Sequence, residues 1–460
     1  MKKLILVASI AALVASTGAL AGPTPEQIKQ LGTTLTPWGA EIAGNKDGTI
    51  PAYTGGLTKA PAGFDLAAGK WVDPYPDDKP LFSITAANMA KYADKLLPSA
   101  QEMLKRWPSF RIDVYPTRRS FPAMDKFHAD AAIKNATNPE CKTTDGGVAL
   151  RGCEHSYPFP IPSTGNEAMW NHLVHQRIPA SQVKARNIVF DSTGARATPQ
   201  VYGGLYDVAY WDPAFKANEP SGVYFYKTVT ITQQPARDAG ATSLNWYSLR
   251  PNTDAQRNWS YTTGQRRVRL APEYAYDTPI VALGGVLFFD EANAFAGRMD
   301  RFDFKIVGKK EMYIMYNSYK AMHAPLETGF LKNHMNPDAM RWELHRVWVV
   351  EATLKQGQRH ALSKRRFYLD EDSWYAASTE GYDQSGKLTR ALFTHSVPNY
   401  SGVGGGLLTY GSSLQAYDLA RGNWTVIGNA GDGGFWKPVE RTDEFTKKIS
   451  PQAVAGAAVR

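Results

Sequence analysis

Residues 221–234, SGVYFYKTVTITQQ, alternate Val223, Phe225, Val229 and Ile231 against Tyr224, Tyr226, Thr228, Thr230 and Thr232, with Lys227 alone out of pattern. A period of two puts successive side chains on opposite faces of a strand, and no helix reads this way. The same period persists from about Val201 onward. SLNWYSL, RNWSYTT, RRVRLAP, DRFDFKIVG, KEMYIMYN, RWELHRVWVVEATL, SWYAASTEGY and GKLTRALF follow, separated by breaks such as TTGQ, VGKK, KQGQ and YDQSG. Breaks of that length are hairpin connections, and this half of the chain holds no helical pattern long enough for crossovers between parallel strands. The pattern predicts a mainly β (α+β) protein built on one large curved antiparallel sheet over residues 201–460.

A large apolar sheet face must be covered, by helices of the same chain or by something that is not protein. In Trp342–Leu354 the even positions Trp342, Leu344, Trp348, Val350, Ala352 and Leu354 form such a face, interrupted by Arg346. Trp342, Leu344, Arg346, Trp348 and Val350, together with Val223, Phe225, Val229 and Ile231, are the candidate ligand-binding residues. The competing reading makes each of them ordinary core under helices. Arg346 needs a partner on either reading, an acidic side chain or the head group of a bound molecule.

Upstream, the pattern changes twice. Residues 22–84 are rich in Pro, Gly, Asp and Trp, with LTPWGAEIAGNKDGTIPAYTGGL and WVDPYPDDKP, and predict an extended arm laid over the body. Residues 85–200 carry helical spacings, Phe121/Met124/Phe127/His128 and Trp170/Leu173/Val174, the latter after a Thr164-x-x-Glu167 capping box. They predict a helical cover. The segments 22–460 are expected to make one compact domain.

The first 21 residues, MKKLILVASIAALVASTGALA, combine Lys2 and Lys3, an apolar run from Leu4 to Val14 and a small-residue end. They read as a secretory signal peptide cleaved after Ala21, because the run is shorter than the ~20 residues of a membrane span. Without them, 50 basic face 43 acidic side chains, a mild and scattered excess that suits work near anionic lipid better than grip on nucleic acid. Export makes the two cysteines, Cys141 and Cys153, a disulfide closing a polar loop, worth roughly 3 kcal/mol.

Catalytic and cofactor motifs are not found: no G-x-S-x-G, no phosphate-binding loop, no H-E-x-x-H. His172 and His175 are expected at the solvated surface, and Glu154-His155 in a loop. Gly402–Gly406 has no following helix, so it reads as a loop, and GNKDGTI as an Asp-Gly turn without the closing Glu of a calcium loop. Asp290-Glu291 and Asp370-Glu371-Asp372 are paired acids that nothing places across a cleft. The basic groups Arg266, Arg267, Arg269 and Lys364, Arg365, Arg366 stand at strand starts. Arg267 and Arg269 share a face, and with Arg365 they are candidates to meet an anionic head group or a partner. No metal, cofactor or catalytic residue is expected.

Longer strings carry a resemblance. LTPWGAEIAGNKDGTIPAYTGGL, VYPTRRSFP, YPFPIPSTGNEAMWNHL, GQRRVRLAPEYAYDTP, RMDRFDFKIVGKKEMYIMYN and HRVWVVEATLKQGQRHALSKRRFYLDEDSW resemble the bacterial domain-of-unknown-function family 1329, from about residue 32 to about 440. The resemblance implies a secreted envelope protein whose sheet is similar to the half-barrel of the lipoprotein carriers LolA and LolB. It implies a periplasmic location, peripheral to the outer membrane and not membrane-spanning, with an RND-type transporter or an outer-membrane barrel as partner. No catalytic residues come with it. The expectation is therefore a non-enzymatic carrier of a lipid or other hydrophobic molecule; the alternatives are a ligand-free assembly scaffold and, less favoured, an envelope hydrolase.

Overall fold

The computed structural model describes residues 22–215, 222–265, 267–270, 276–400 and 413–457. The expected leader, Arg266 and the Gly402–Gly406 run lie outside the described residues. Strands run β1 (Phe82–Ile84), β2 (Ile112–Val114), β3 (Lys142–Thr144), β4 (Ala149–Arg151), β5 (Ala180–Phe190), β6 (Gln200–Asp207), β7 (Tyr224–Gln234), β8 (Thr242–Ser248) and β9 (Arg257–Thr262). They continue as β10 (Arg267–Leu270), β11 (Phe302–Met315), β12 (Trp342–Leu354), β13 (Lys364–Asp370), β14 (Ala376–Tyr382), β15 (Leu388–Thr394), β16 (Leu414–Asp418), β17 (Asn423–Asn429) and β18 (Phe435–Pro438). The helices are α1 (Pro25–Ile28), α2 (Pro98–Arg106), α3 (Lys126–Thr137), α4 (Gly165–Leu173), α5 (Tyr319–Met322), α6 (Asp443–Lys447) and α7 (Pro451–Ala457).

All strands but β3 and β4 join one sheet in the order β1-β2-β12-β13-β14-β15-β16-β17-β5-β6-β7-β8-β9-β10, with β11 on β12 and β18 on β5. Pairing is antiparallel except where β2 meets β12 at Val114 and Trp342. The sheet is mainly β, large, curved and not closed into a barrel, in line with the sequence expectation. Two details differ from it. VGKK is not a hairpin: β11 runs through it, and Gly308, at a φ of 150° that favours glycine, forms a bulge that leaves Val307 half exposed. In addition, β5 lies inside the stretch read as helical cover and stands mid-sheet, pairing with β6, β17 and β18. Its alternation, Val183 and Ala185 against Lys184 and Arg186, breaks at Asn187 and is too short to have announced a strand.

Helices cover the sheet in separate places. Thr164 and Glu167 close the expected capping box, and α4 buries Trp170 and Leu173 against the sheet, with Trp170 edge-on to Phe225. Helix α2 brings Leu97, Met103 and Leu104 into a second cluster with Trp342, Leu344 and Phe393. The short α6 and α7 bury Phe445, Ile449 and Val454 against Val229, Leu244 and Trp259. The arm is anchored by tryptophans: Trp71 donates its indole N–H to the Trp436 carbonyl (2.9 Å), and Trp374 donates to the Trp38 carbonyl (2.8 Å). Gly39 beside Trp38 has φ 91°, and a Cβ there would lie 1.8 Å from the Pro160 carbonyl oxygen, so only glycine lets the arm dock this closely. Cys141 and Cys153 are joined at 2.12 Å.

Candidate functional site

Where the covering of the first core stops, beyond α4, strands β6 to β9 present an open face. Thr228, Thr230 and Thr232 of β7, Ser243 and Asn245 of β8, and Asn258, Ser260 and Thr262 of β9 form its floor, with Tyr202, Tyr206, Tyr226 and Tyr247 at one end. Cross-strand bonds satisfy much of this polarity. Asn258 donates to Asn245, which donates to the Thr228 hydroxyl (3.3 Å); Asn187 donates to Gln200 (2.9 Å), which donates to Thr232 (3.1 Å). Burial raises the Tyr202 and Tyr247 hydroxyls, so they stay neutral.

The segment 279–289 stands over this floor as an apolar wall. Pro279 pairs with Phe288 across a loop that turns at Gly284 and Gly285, both at positive φ. Leu283, Val286 and Leu287 pack on Leu392 and Leu414, with Ile280 and Ile427 beside them. Val281 is 88% exposed at the mouth. The enclosed volume is about 570 Å³, and among the described residues lining it none is Asp, Glu, Lys, Arg, His or Cys.

Two buried ion pairs hold the wall down. Asp290 accepts from Arg365 (2.6 Å) and His360 (3.0 Å), and Glu291 accepts from Arg390 (2.7 and 2.6 Å) while taking the Phe288 backbone N–H. Burial works against the Asp290 carboxylate, but the Arg365 and His360 partners hold it below its ordinary value. Arg365, a candidate for a head group, is fully buried in this pair and lies between Phe295 and Phe367. The acids Asp290 and Glu291 are thus anchors, which explains why they face no cleft.

The structure separates the other sequence candidates. On β7, Val229 and Ile231 point away from the groove. Val229 packs under α6 and α7, Ile231 stays 40% exposed on that side, and Val223 and Phe225 are buried, with Phe225 in the first core. Apolarity picks the face that the protein covers itself, whereas the groove takes the threonine face. Trp342 and Leu344 sit in the α2 cluster, Val350 in the first core, and Trp348 stacks on Trp374 at 5.7 Å. Six residues span ~20 Å of strand, so Trp342 and Trp348 reach different packing centres although alternation gives them one side. Arg346 finds its partners within the protein: the Glu371 carboxylate (3.2 Å), the Ala43 carbonyl (3.1 Å) and Glu41 (3.6 Å) of the arm. His172 and His175 are not at the surface. They are fully buried and ring-stacked, and His172 accepts from the Ala376 N–H and faces the Phe295 carbonyl, so burial pulls it down to about 3.

Arg346 belongs to a larger ionic network under the arm. Glu343 accepts from Arg341 (2.6 Å), Asn317 (2.9 Å), the Arg118 backbone (2.7 Å) and His345 (3.1 Å). Burial opposes its charge, yet His345 and Arg341 keep the carboxyl below its ordinary value. His345, Asp370 and Asp372 bring potential metal-ligand atoms within 4.8 Å of one another. Arg119, however, takes both oxygens of Asp372 (2.9 and 2.5 Å), so a guanidinium already supplies the positive charge. A second cleft, about 740 Å³, lies between Lys70–Asp73 and the turns near His323, Asp338 and Asp432, and carries both signs of charge.

Residues 83–455 match the family described as Protein of unknown function (DUF1329). An uncharacterised protein of Pseudomonas aeruginosa is 39% identical over 93% of this chain and 92% of its own length. Among solved structures, a DUF1329 family protein from Desulfovibrio piger is 14% identical over 62% of this chain and 95% of its own, with a TM-score of 0.41. A LolA superfamily protein from Nitrosomonas europaea is 12% identical over 63% and 99%, with a TM-score of 0.34. The chain belongs to the DUF1329 family of proteins of unknown function.

Proposed function

We propose that the protein is a non-enzymatic binding and carrier protein that takes a lipid or another hydrophobic molecule into the groove over β6–β9 and moves it within the cell envelope. The observation that carries this reading is the groove itself: an aliphatic wall and a neutral floor, with no charged side chain among the described residues that line it. Apolar surface transferred into such a slot gains about 25 cal/mol per Å² removed from water. Among the described residues the lining offers no side chain that could act as a base or hold a metal near neutral pH, so binding is the chemistry it supports. The route fits the expected leader and a periplasmic location, with an RND-type transporter or an outer-membrane barrel as donor or acceptor of the cargo. Among the described residues no helix is long and apolar enough to cross a membrane.

The test is to purify the mature protein without detergent, extract it with organic solvent and compare the extract with a blank by mass spectrometry. An uncharged naphthylamine probe should also brighten on binding and be displaced by the extracted compound. Extracts identical to the blank, together with a probe that stays dark, would remove the carrier reading.

A further inference from the structure

Two arginines of β10 stand at one rim of the groove. β10 is the last strand of the sheet and pairs with β9 in a register that sets Arg267 opposite Thr262 and Arg269 opposite Ser260. Directly opposed residues of an antiparallel pair point to the same face, with Cα atoms ~5 Å apart. Thr262 and Ser260 line the groove, so both arginines stand on the groove face, just outside its neutral floor. The alternate residue Val268 packs on the opposite face, with the α6–α7 cluster, which confirms the parity. Both arginines are exposed, and among the described residues neither is paired with a carboxylate.

Arg366 offers the contrast, since it holds Glu351 at 2.7 Å. The β10 arginines keep their guanidinium forks available. Two residues apart on a strand, their side chains start ~7 Å from each other and can converge on one anion, which a guanidinium binds through paired N–H donors. From β9 the groove crosses β8, β7, β6 and β5 to Leu414 and Ile427 on β16 and β17. Five strand spacings from β9 to β17 make roughly 24 Å along the sheet, the scale of a long acyl chain.

The geometry points to an anionic single-chain amphiphile as the ligand, its carboxylate or phosphate held by Arg267 and Arg269 and its chain laid along the groove toward Leu287 and Leu414. This deepens the carrier reading and rests on it. Isothermal titration at submicellar concentration should compare three chain-matched ligands: oleate, oleoyl lysophosphatidate and uncharged mono-oleoylglycerol. In wild type the two anions bind at least tenfold tighter than the neutral lipid, and added salt weakens them. The double substitution R267Q/R269Q lowers the affinity for the anions at least tenfold and leaves mono-oleoylglycerol within twofold. Whichever anion loses more identifies carboxylate or phosphate as the preferred head group. Equal changes for all three ligands, unchanged anion binding, or a neutral lipid that binds wild type as tightly as the anions would overturn the head-group site and leave the groove standing. If none of the three binds wild type, the groove reading fails with it.

Discussion

Between β11 and β14 the sheet buries Arg119, Arg341, His345 and Arg346 against Glu343, Glu371 and Asp372, whereas between β6 and β9 it leaves an open groove whose described lining residues carry no charge. Both regions are antiparallel strands of alternating pattern. They differ in what lies on top. The ionic region is roofed by the arm, which contributes Glu41 and the Ala43 carbonyl, and the charges of Glu343, Glu371 and Asp372 each meet a basic partner. Among the described residues the groove has a wall and no roof, and several of its polar side chains bond to one another across the strands. Buried charge that is fully partnered reads as architecture; an uncharged, unroofed surface with an exposed aliphatic mouth reads as a place for something else.

The largest effect separating the two regions is expected at Glu343, which collects four donors while fully buried. Glu343→Ala leaves Arg341 with Asp78 alone and His345 with only Asp370 at 3.9 Å, and urea unfolding should show a loss of about 3–5 kcal/mol. A loss below about 1 kcal/mol would mean that the network does not hold the arm and sheet together.

A smaller, pH-dependent effect belongs to Asp370. Burial and the neighbouring Asp372 charge push its carboxyl up to about 7, and His345, opposed by burial but drawn up by Glu343 and Asp370, is raised too. A group raised on folding stabilises fully below its unfolded value and loses that contribution as pH climbs through its folded value. For Asp370 the window runs from about 4 to about 7, and for His345 from about 6.5 upward, so the signs agree. Asp370→Asn removes the first of these. Between pH 5 and pH 8 the stability difference should move in the variant's favour by about 2 kcal/mol, one pKa unit being worth about 1.4. A difference constant over that range would place a charged Asp370 in the fold at both pH values.

The strands of both regions are legible in the sequence, because period two survives in β7, β12 and β14 whatever covers them. Side choice is not. Alternation states that Val229 and Ile231 share a face, and says nothing of helices α6 and α7, more than 200 residues further on, that arrive to cover it. The wall of the groove is equally non-local. Asp290 meets His360 and Arg365 at separations of 70 and 75 residues, and Glu291 meets Arg390 at 99. Arg267 and Arg269 were legible as a same-face pair, but their distance from the groove depends on the β9–β10 register. Arg365, in an equally basic string, ends inside an ion pair. β5 carried only a short local signal, Val183 and Ala185 alternating with Lys184, which stops at Asn187 before Ile188 and Phe190.

At the groove the expected effects fall on binding and spare the fold. Thr230 lies mid-floor, half-buried, opposite Gly204 and Ser243. Thr230→Trp fills the slot at its narrow middle and should weaken the naphthylamine probe tenfold or more while stability stays within about 1 kcal/mol, as surface substitutions usually do. Unfolding instead would put Thr230 with the packed region.

Val281 is the finest cut between the two regions. At 88% exposure it contributes little packing to the folded chain, so Val281→Ser should leave unfolding unchanged. A ligand lying against the wall would lose the apolar area of one or two methyl groups, at about 0.8 kcal/mol each, and bind roughly four- to fifteenfold more weakly. Single exposed aliphatic side chains are common on protein surfaces, so the position of Val281 at the mouth does not by itself imply a ligand. The binding measurement distinguishes the two cases directly, because a Val281 that is merely tolerated would change neither stability nor affinity.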